Sequence, residues 1–174
     1  MADDRGRIGW YSPDPRAVFP LERDAFHVPH SLAKTIRKGV FDVTVDRAFE
    51  EVMRGCADRE PTWINDDILK HYGNLFDKGL CHSVEAWHEG ELAGGLYGVS
   101  LGGAFMGESM FTRVTDASKV CLVFLVEHLR AKGFVLLDSQ MPTEHLQRFG
   151  QVLIPKSEYL ERLKAALAME RDFS

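Results

Sequence analysis

The sequence predicts an α+β domain in which one mixed sheet is covered by helices, and two patterns carry that prediction. Between residues 83 and 111 apolar positions alternate with period two across two glycine turns, the mark of an antiparallel meander. On either side of it, apolar residues recur at intervals of three and four, the period of helices with one buried face. With 174 residues, 45% hydrophobic and 27% charged, the chain is long enough to bury one substantial core.

Taken in order, residues 1–26 contain Pro13, Pro15 and Pro20 and little periodicity. They read as an irregular arm packing on a domain of residues 27–174, with Trp10, Tyr11 and Phe19 as anchors. Ser31–Lys38 predicts a short helix, with Leu32 and Ile36 on one side and His30, Lys34, Arg37 and Lys38 on another. Phe41–Val45 alternates like a strand. Asp46 then suits the cap of a helix to about Ala57, whose apolar face is Phe49, Val52, Met53 and Cys56. Asn65 suits the cap of the next helix, ending near Gly79.

The meander runs Ser83–His88, Leu92–Ser100 and Ala104–Phe111, with turns at Glu89-Gly90 and Gly102-Gly103. Asp116 is placed to cap a helix that buries Val120, Phe124 and Leu125 and stops at Gly133. A very apolar strand, Val135–Ser139, follows. A helix at Thr143–Phe149, a strand at Gln151–Ile154 and a helix from Ser157 to about Met169 complete the chain.

Composition excludes several classes. The longest apolar runs, such as Val120–Val126, fall far short of the roughly 18 to 20 residues a membrane helix needs. The first residues are charged where an export signal would be apolar, so a cytoplasmic protein is expected. Cys56, Cys81 and Cys121 are odd in number and widely spaced, which reads as reduced, mostly buried thiols. A net charge of −5 argues against a surface that coats nucleic acid, so any RNA contact must be local. The seven histidines show no ligand spacing, and neither metal nor cofactor is expected.

Four segments stand out: Trp10-Tyr11-Ser12-Pro13-Asp14-Pro15-Arg16; Thr62-Trp63-Ile64; Gly94-Gly95-Leu96-Tyr97-Gly98-Val99 with Gly107-Glu108-Ser109-Met110-Phe111; and Asp138-Ser139-Gln140. In order and spacing they resemble the leucyl/phenylalanyl-tRNA-protein transferase family, over about residues 8 to 167. The resemblance implies a fold like the acyl-CoA N-acyltransferases (N-acetyltransferase type), reused to hold the 3′ end of an aminoacyl-tRNA. The implied reaction moves leucine or phenylalanine, and methionine as a further donor, onto proteins beginning with Arg or Lys, marking them for degradation.

The implied roles have physical reasons. Trp10 and Trp63 match positions that stack the unpaired 3′ adenosine, where an aromatic face is worth about 1–3 kcal/mol per base. Leu96, Phe105 and Met110 match the pocket for the donor side chain, although by spacing alone they are core. Glu108 is a carboxylate among Phe and Met residues, which demands a partner. The resemblance puts it in the site, holding either the donor's α-ammonium or the adenosine hydroxyls, a binding role preferred over proton transfer. Asp138 and Gln140, two apart on a strand, leave the same face by simple alternation. Gln140 has no useful basicity, so it is assigned to aligning the incoming amine, with Asp138 orienting it and favouring a cation there. Lys34, Arg37 and Lys38 match a basic helix that touches the tRNA backbone.

Tyr11 stands where a second Trp is common and Ser139 where a Cys is common. Few residues precede Trp10 compared with many members, which implies a reduced tRNA footprint. The partners expected are the aminoacyl-tRNA 3′ end and acceptor proteins with a basic N-terminal residue, with a monomer favoured. Two rivals share the features. An acyl-CoA N-acetyltransferase of the same fold needs a glycine-rich pyrophosphate loop, and Phe111–Lys119 has no glycine. A noncatalytic adaptor for basic N-termini or RNA ends needs the aromatic clamp but not Asp138 and Gln140.

Overall fold

The computed structural model describes residues 9–174. The first eight residues of the expected arm, and the charged leader with them, lie outside the described residues. A seven-stranded sheet runs through the molecule in the order β2-β3-β4-β5-β6-β1-β7. Its strands are β1 (Arg16–Phe19), β2 (Asp42–Val45), β3 (Cys81–His88), β4 (Glu91–Leu101), β5 (Ala104–Thr112), β6 (Leu136–Gln140) and β7 (Val152–Ile154). The helices are α1 (His30–Arg37), α2 (Phe49–Ala57), α3 (Asp66–Phe76), α4 (Ala117–Ala131), α5 (Glu144–Gln147) and α6 (Lys156–Leu167). Among the described residues no helix is long and apolar enough to cross a membrane.

The expected α+β class and the three-stranded meander are both present. Glu89, Gly90 and Gly102 have positive φ in the two tight turns, and Gly133, φ 73°, ends α4. Pleat alternation divides the core. Phe105 joins the cluster under α4, while its neighbours Ala104 and Met106 join a third cluster with Tyr159 and Ala166 of α6. On the same face as α6, α2 and α3 bury Phe49, Val52, Met53, Cys56 and Ile68 against Tyr97 of β4. All three cysteines are free and buried.

Three expectations are corrected. Residues 16–19 are not irregular backbone: they form β1, antiparallel to β6 on one side and to β7 on the other, with Ala17, Val18 and Phe19 buried. Pro15 and Pro20 bound the strand rather than abolish it, since neither has to donate within the ladder. Asp46 does not cap α2, which starts after Ala48. Asp46 has φ 57°, and its carboxylate accepts from the Ser83 N–H at 2.8 Å and pairs with His82 Nδ1 at 2.7 Å. Asp116 holds the N-cap position of α4, but its side chain makes no cap bond and instead pairs with Lys119 at 2.7 Å. Asn65 does cap α3, accepting from the Ile68 N–H at 3.0 Å.

Candidate active site

β5 and β6 are the one parallel neighbour pair among the described strands, and they bond only over Ala104–Met106 against Leu136–Asp138. Beyond that short register the two strands part, and Gly107 to Thr112 of β5 diverge from Ser139 and Gln140 of β6. The polar residues singled out from the sequence gather at this fork.

Two bulges aim them. Tyr97 and Gly98 are consecutive on β4, but their partners Ser109 and Gly107 are two apart, so Glu108 is the extra residue of a bulge. The bulge also explains how Phe105 and Met110, five apart, both reach the α4-side cluster together with Leu96. On β6, Asp138 faces Val18 and Gln140 faces Ala17, which are consecutive, so Ser139 is the extra residue there. The simple alternation expected for Asp138 and Gln140 is therefore broken, and Gln140 takes φ 65°, uncommon for a residue with a Cβ.

Asp138 is fully buried and its carboxylate is fully used. Oδ1 accepts from Arg16 Nε at 3.0 Å and from the Gln140 main-chain N–H at 2.8 Å. Oδ2 accepts from Arg16 Nη2 at 2.6 Å and from the Tyr159 hydroxyl at 2.8 Å. Asp138 thus orients Gln140 through the main chain, not through the side-chain amide. Burial disfavours the Arg16 charge, but the bonds and attraction of Asp138 outweigh it and raise the guanidinium above its usual value. Burial first, and then Asp138, push the Tyr159 phenol upward as well.

Gln140 Nε2 donates to the Gly107 carbonyl at 3.2 Å and the Gln140 side chain also hydrogen-bonds Glu108. Tyr72 of α3 is the second partner of Glu108. Burial raises the Glu108 carboxyl above its ordinary 4.5 even though Tyr72 and Gln140 pull it down, and the nearby Asp138 charge adds to the rise. Next to Tyr72, edge-on at 5.4 Å between ring centroids, lies Tyr97, fully buried with its hydroxyl lacking a partner among the described residues. Ser139 Oγ donates to Ala17 O at 3.2 Å and accepts from Gln151 Nε2 at 2.8 Å, which pins the bulge.

The remaining sequence candidates are distributed around this fork. Leu96 and Phe105 are buried, 3% and 0% exposed, and Met110 is half-buried beside them. Trp63 is half-buried against the α2–α3 cluster, whereas Trp10 is 97% exposed. Lys34, Arg37 and Lys38 are exposed at the end of α1. Within the Trp10–Arg16 motif, Asp14 Oδ1 accepts from the Lys156 N–H at 3.1 Å, tying the motif to the start of α6. A groove of about 920 Å³ between α2 and α3, lined by Arg47, Phe49, Arg54, Leu69, Lys70 and Phe76 among others, holds none of the sequence candidates. Among the described residues no group of three His, Cys, Asp or Glu side chains is placed to hold a metal ion.

Arg16, Tyr72 and Tyr159 were not singled out from the sequence. Arg16 lies inside the first motif, and the signal for it was a buried Asp that needs a cation. Tyr72 and Tyr159 sit on helix faces that read as ordinary apolar stripes.

The loop before α4 has no glycine that would let its backbone close around a pyrophosphate. Three of its N–H groups are spent within the protein, those of Arg113 and Val114 on Ala93 O at 2.7 and 3.1 Å and that of Ala117 on Val114 O at 3.1 Å.

A family model described as leucyl/phenylalanyl-tRNA protein transferase matches residues 18–164. The chain is similar to proteins named leucyl/phenylalanyl-tRNA–protein transferase from three bacteria. The Rubrobacter xylanophilus protein is 58% identical, over 100% of this chain and 91% of that one. Those of Salinibacter ruber and Gloeobacter violaceus are 54% and 55% identical, over 98% and 99% of this chain and 75% and 89% of theirs. Among solved structures, a conserved protein of unknown function from Bacteroides thetaiotaomicron shares the fold with a TM-score of 0.52 at 9% identity, over 91% of this chain and 57% of that one. A ribosomal-protein-alanine N-acetyltransferase from Brucella melitensis gives a TM-score of 0.45 at 14% identity, over 62% of this chain and 84% of that one.

Proposed function

The chain belongs to the leucyl/phenylalanyl-tRNA protein transferase family, and from that premise we propose how it selects and joins its substrates. It is an aminoacyltransferase, carrying an amino acid from aminoacyl-tRNA to the N-terminal amine of a protein. Leucine and phenylalanine are the main donors and methionine a further one, the acceptors begin with Arg or Lys, and the product is marked for degradation. The enzyme acts in the cytoplasm as a monomer.

One observation carries this reading: the fork between β5 and β6 gathers Gln140, Glu108 and Asp138 at the point where the sheet opens. Acyl transfer from an ester requires alignment of amine and carbonyl more than added driving force, and an amide held from two sides suits that task. Trp10 and Trp63 stack the terminal adenosine. The apolar group Leu96, Phe105 and Met110 receives the donor side chain, and a Met edge tolerates unbranched and γ-branched shapes alike. Lys34, Arg37 and Lys38 meet tRNA phosphates.

The test is transfer of radiolabelled leucine, phenylalanine or arginine, presented on tRNA, to peptides beginning with Arg, Lys or Ala. Leucine and phenylalanine transfer restricted to basic N-termini is the expected result. Transfer of arginine and none of leucine would reassign the donor. Thermal stabilisation by acetyl-CoA, with no transfer from tRNA, would favour the acyl-CoA rival despite the glycine-free loop before α4.

A further inference from the structure

We propose that Glu108, and not Asp138, takes the proton released by the attacking amine, while Asp138 is a positioning residue that holds the Gln140 turn. This rests on the transferase reading and names the proton's path within it.

Asp138 is badly placed to act as a base. Its two oxygens accept four hydrogen bonds, two from Arg16 and one each from Tyr159 and the Gln140 main chain, which fills the acceptor capacity of a carboxylate. It has no exposed surface. A proton arriving there would displace one of these donors and leave the Arg16 charge unpaired. Gln140 is a neutral amide and takes no proton either.

Glu108 has the opposite surroundings. The bulge lifts it out of the β5 ladder at the fork, and its partners among the described residues, Tyr72 and Gln140, are both neutral. No arginine or lysine among the described residues forms an ion pair with it. Gln140 spends amide hydrogens on the Gly107 carbonyl and on Glu108, which leaves Oε1 to accept from an incoming amine beside the carboxylate. Burial in addition raises the Glu108 carboxyl toward the working pH, where a base transfers protons most effectively.

The nitrogen lone pair of the neutral acceptor amine attacks the ester carbonyl carbon, forming the C–N bond. One N–H proton passes to a Glu108 oxygen. The bond from that carbon to the ribose oxygen breaks, its electron pair stays on the ribose oxygen, and the same proton passes from Glu108 to that oxygen. The products are an amide and a ribose hydroxyl, and Glu108 is again a carboxylate.

Single-turnover transfer of phenylalanine from saturating Phe-tRNA to a saturating peptide beginning with Arg tests this. Glu108→Gln is expected to slow the step by about 10²–10⁴-fold, the range for loss of a general base, while Phe-tRNA binding changes little. Glu108→Ala is expected to regain rate as formate or acetate is added, with acetate, the stronger base, more effective. A Glu108→Gln enzyme that transfers at the wild-type rate and loses only affinity overturns the proposal, as does a slow Glu108→Ala enzyme that neither carboxylate restores. Absence of transfer by the wild-type enzyme would instead strike the function on which the proposal rests.

Discussion

Arg16 and Asp138 lie 122 residues apart in the chain and meet in a two-pronged ion pair, Nε to Oδ1 at 3.0 Å and Nη2 to Oδ2 at 2.6 Å. The Asp138 side chain is fully buried and that of Arg16 is 14% exposed. The pair ties β1 to β6 below the Gln140 turn, and the Arg16 guanidinium also lies over the Tyr159 ring at 4.8 Å. Arg16→Met strands a buried carboxylate, and the expected loss is about 3–5 kcal/mol in urea unfolding. Arg16→Met with Asp138→Asn should lose less than the two changes summed. A loss near that of a surface pair, under about 1 kcal/mol, would mean that water reaches Asp138.

Gly98 and Gly107 face each other across β4 and β5, yet they should differ in what they tolerate. A Cβ on Gly98 would stand 2.4 Å from the Phe105 ring and 2.4 Å from the Met106 carbonyl, while one on Gly107 would meet only the Asp138 carbonyl at 3.3 Å. Gly98→Ala must move backbone, and a thermal melt should register an overpacking loss of about 1–3 kcal/mol or more. Gly107→Ala needs a shift of only a few tenths of an ångström and should melt much closer to wild type. Equal losses would show that the two strands are less tightly held than their register implies.

What was legible in the sequence was local. Alternation and turn glycines mark β3 to β5 because each strand meets its neighbour through a short turn. Asn65 was readable as a cap because its partner, the Ile68 N–H, is three residues away. β1 was not legible, since four residues between prolines carry no period and their partners are β6 and β7, far along the chain. Residue type alone makes Asp46 and Asp116 look like caps. Tertiary partners, Ser83 and His82 for Asp46, and the nearby Lys119 for Asp116, claimed their carboxylates instead. The bulges at Glu108 and Ser139 leave no mark in a sequence, so motif resemblance could name Glu108, Asp138 and Gln140 but alternation misjudged how they face.

The end of α1 offers a prediction separable from the catalytic fork. Lys34, Arg37 and Lys38 are exposed in a protein of net charge −5. Replacing all three with Ala should weaken aminoacyl-tRNA binding and flatten the dependence of log affinity on log salt by about 2–3, near 0.7–0.9 for each phosphate no longer neutralised. Thermal stability should change little, since none of the three is buried. An unchanged salt slope would place the phosphate-binding cations elsewhere on the surface.

Gln140 combines two demands that substitution can separate. Its φ of 65° favours glycine, while its amide spans Gly107 and Glu108. Gln140→Ala removes the amide and keeps the backbone strain; Gln140→Gly removes both. Gln140→Gly should therefore unfold at higher urea than Gln140→Ala, by about 0.5–1 kcal/mol, while both transfer slowly and still bind tRNA. Equal stability of the two would show that the left-handed turn relaxes once the amide is gone.

Glu108 should tax stability in a pH-dependent way whose sign follows from its surroundings. Tyr72 of α3, Tyr97 of β4, Cys81 of β3 and Asp138 and Gln140 of β6 bear on it, and burial is the largest influence, raising its carboxyl above 4.5. The folded state then holds the proton more tightly than the unfolded state, so stability falls as pH rises wherever the folded state binds more protons. The contribution is fully present below the unfolded value and is lost as pH climbs through the folded one. Glu108→Gln cannot ionise and escapes that loss. Its Tm should match wild type near about pH 4 and exceed it once pH has risen through the folded-state value of Glu108. A Tm difference that stays flat across this range would mean that Glu108 is solvated in the folded protein, and a solvated carboxylate would lack the raised basicity that suits it to accept the amine proton.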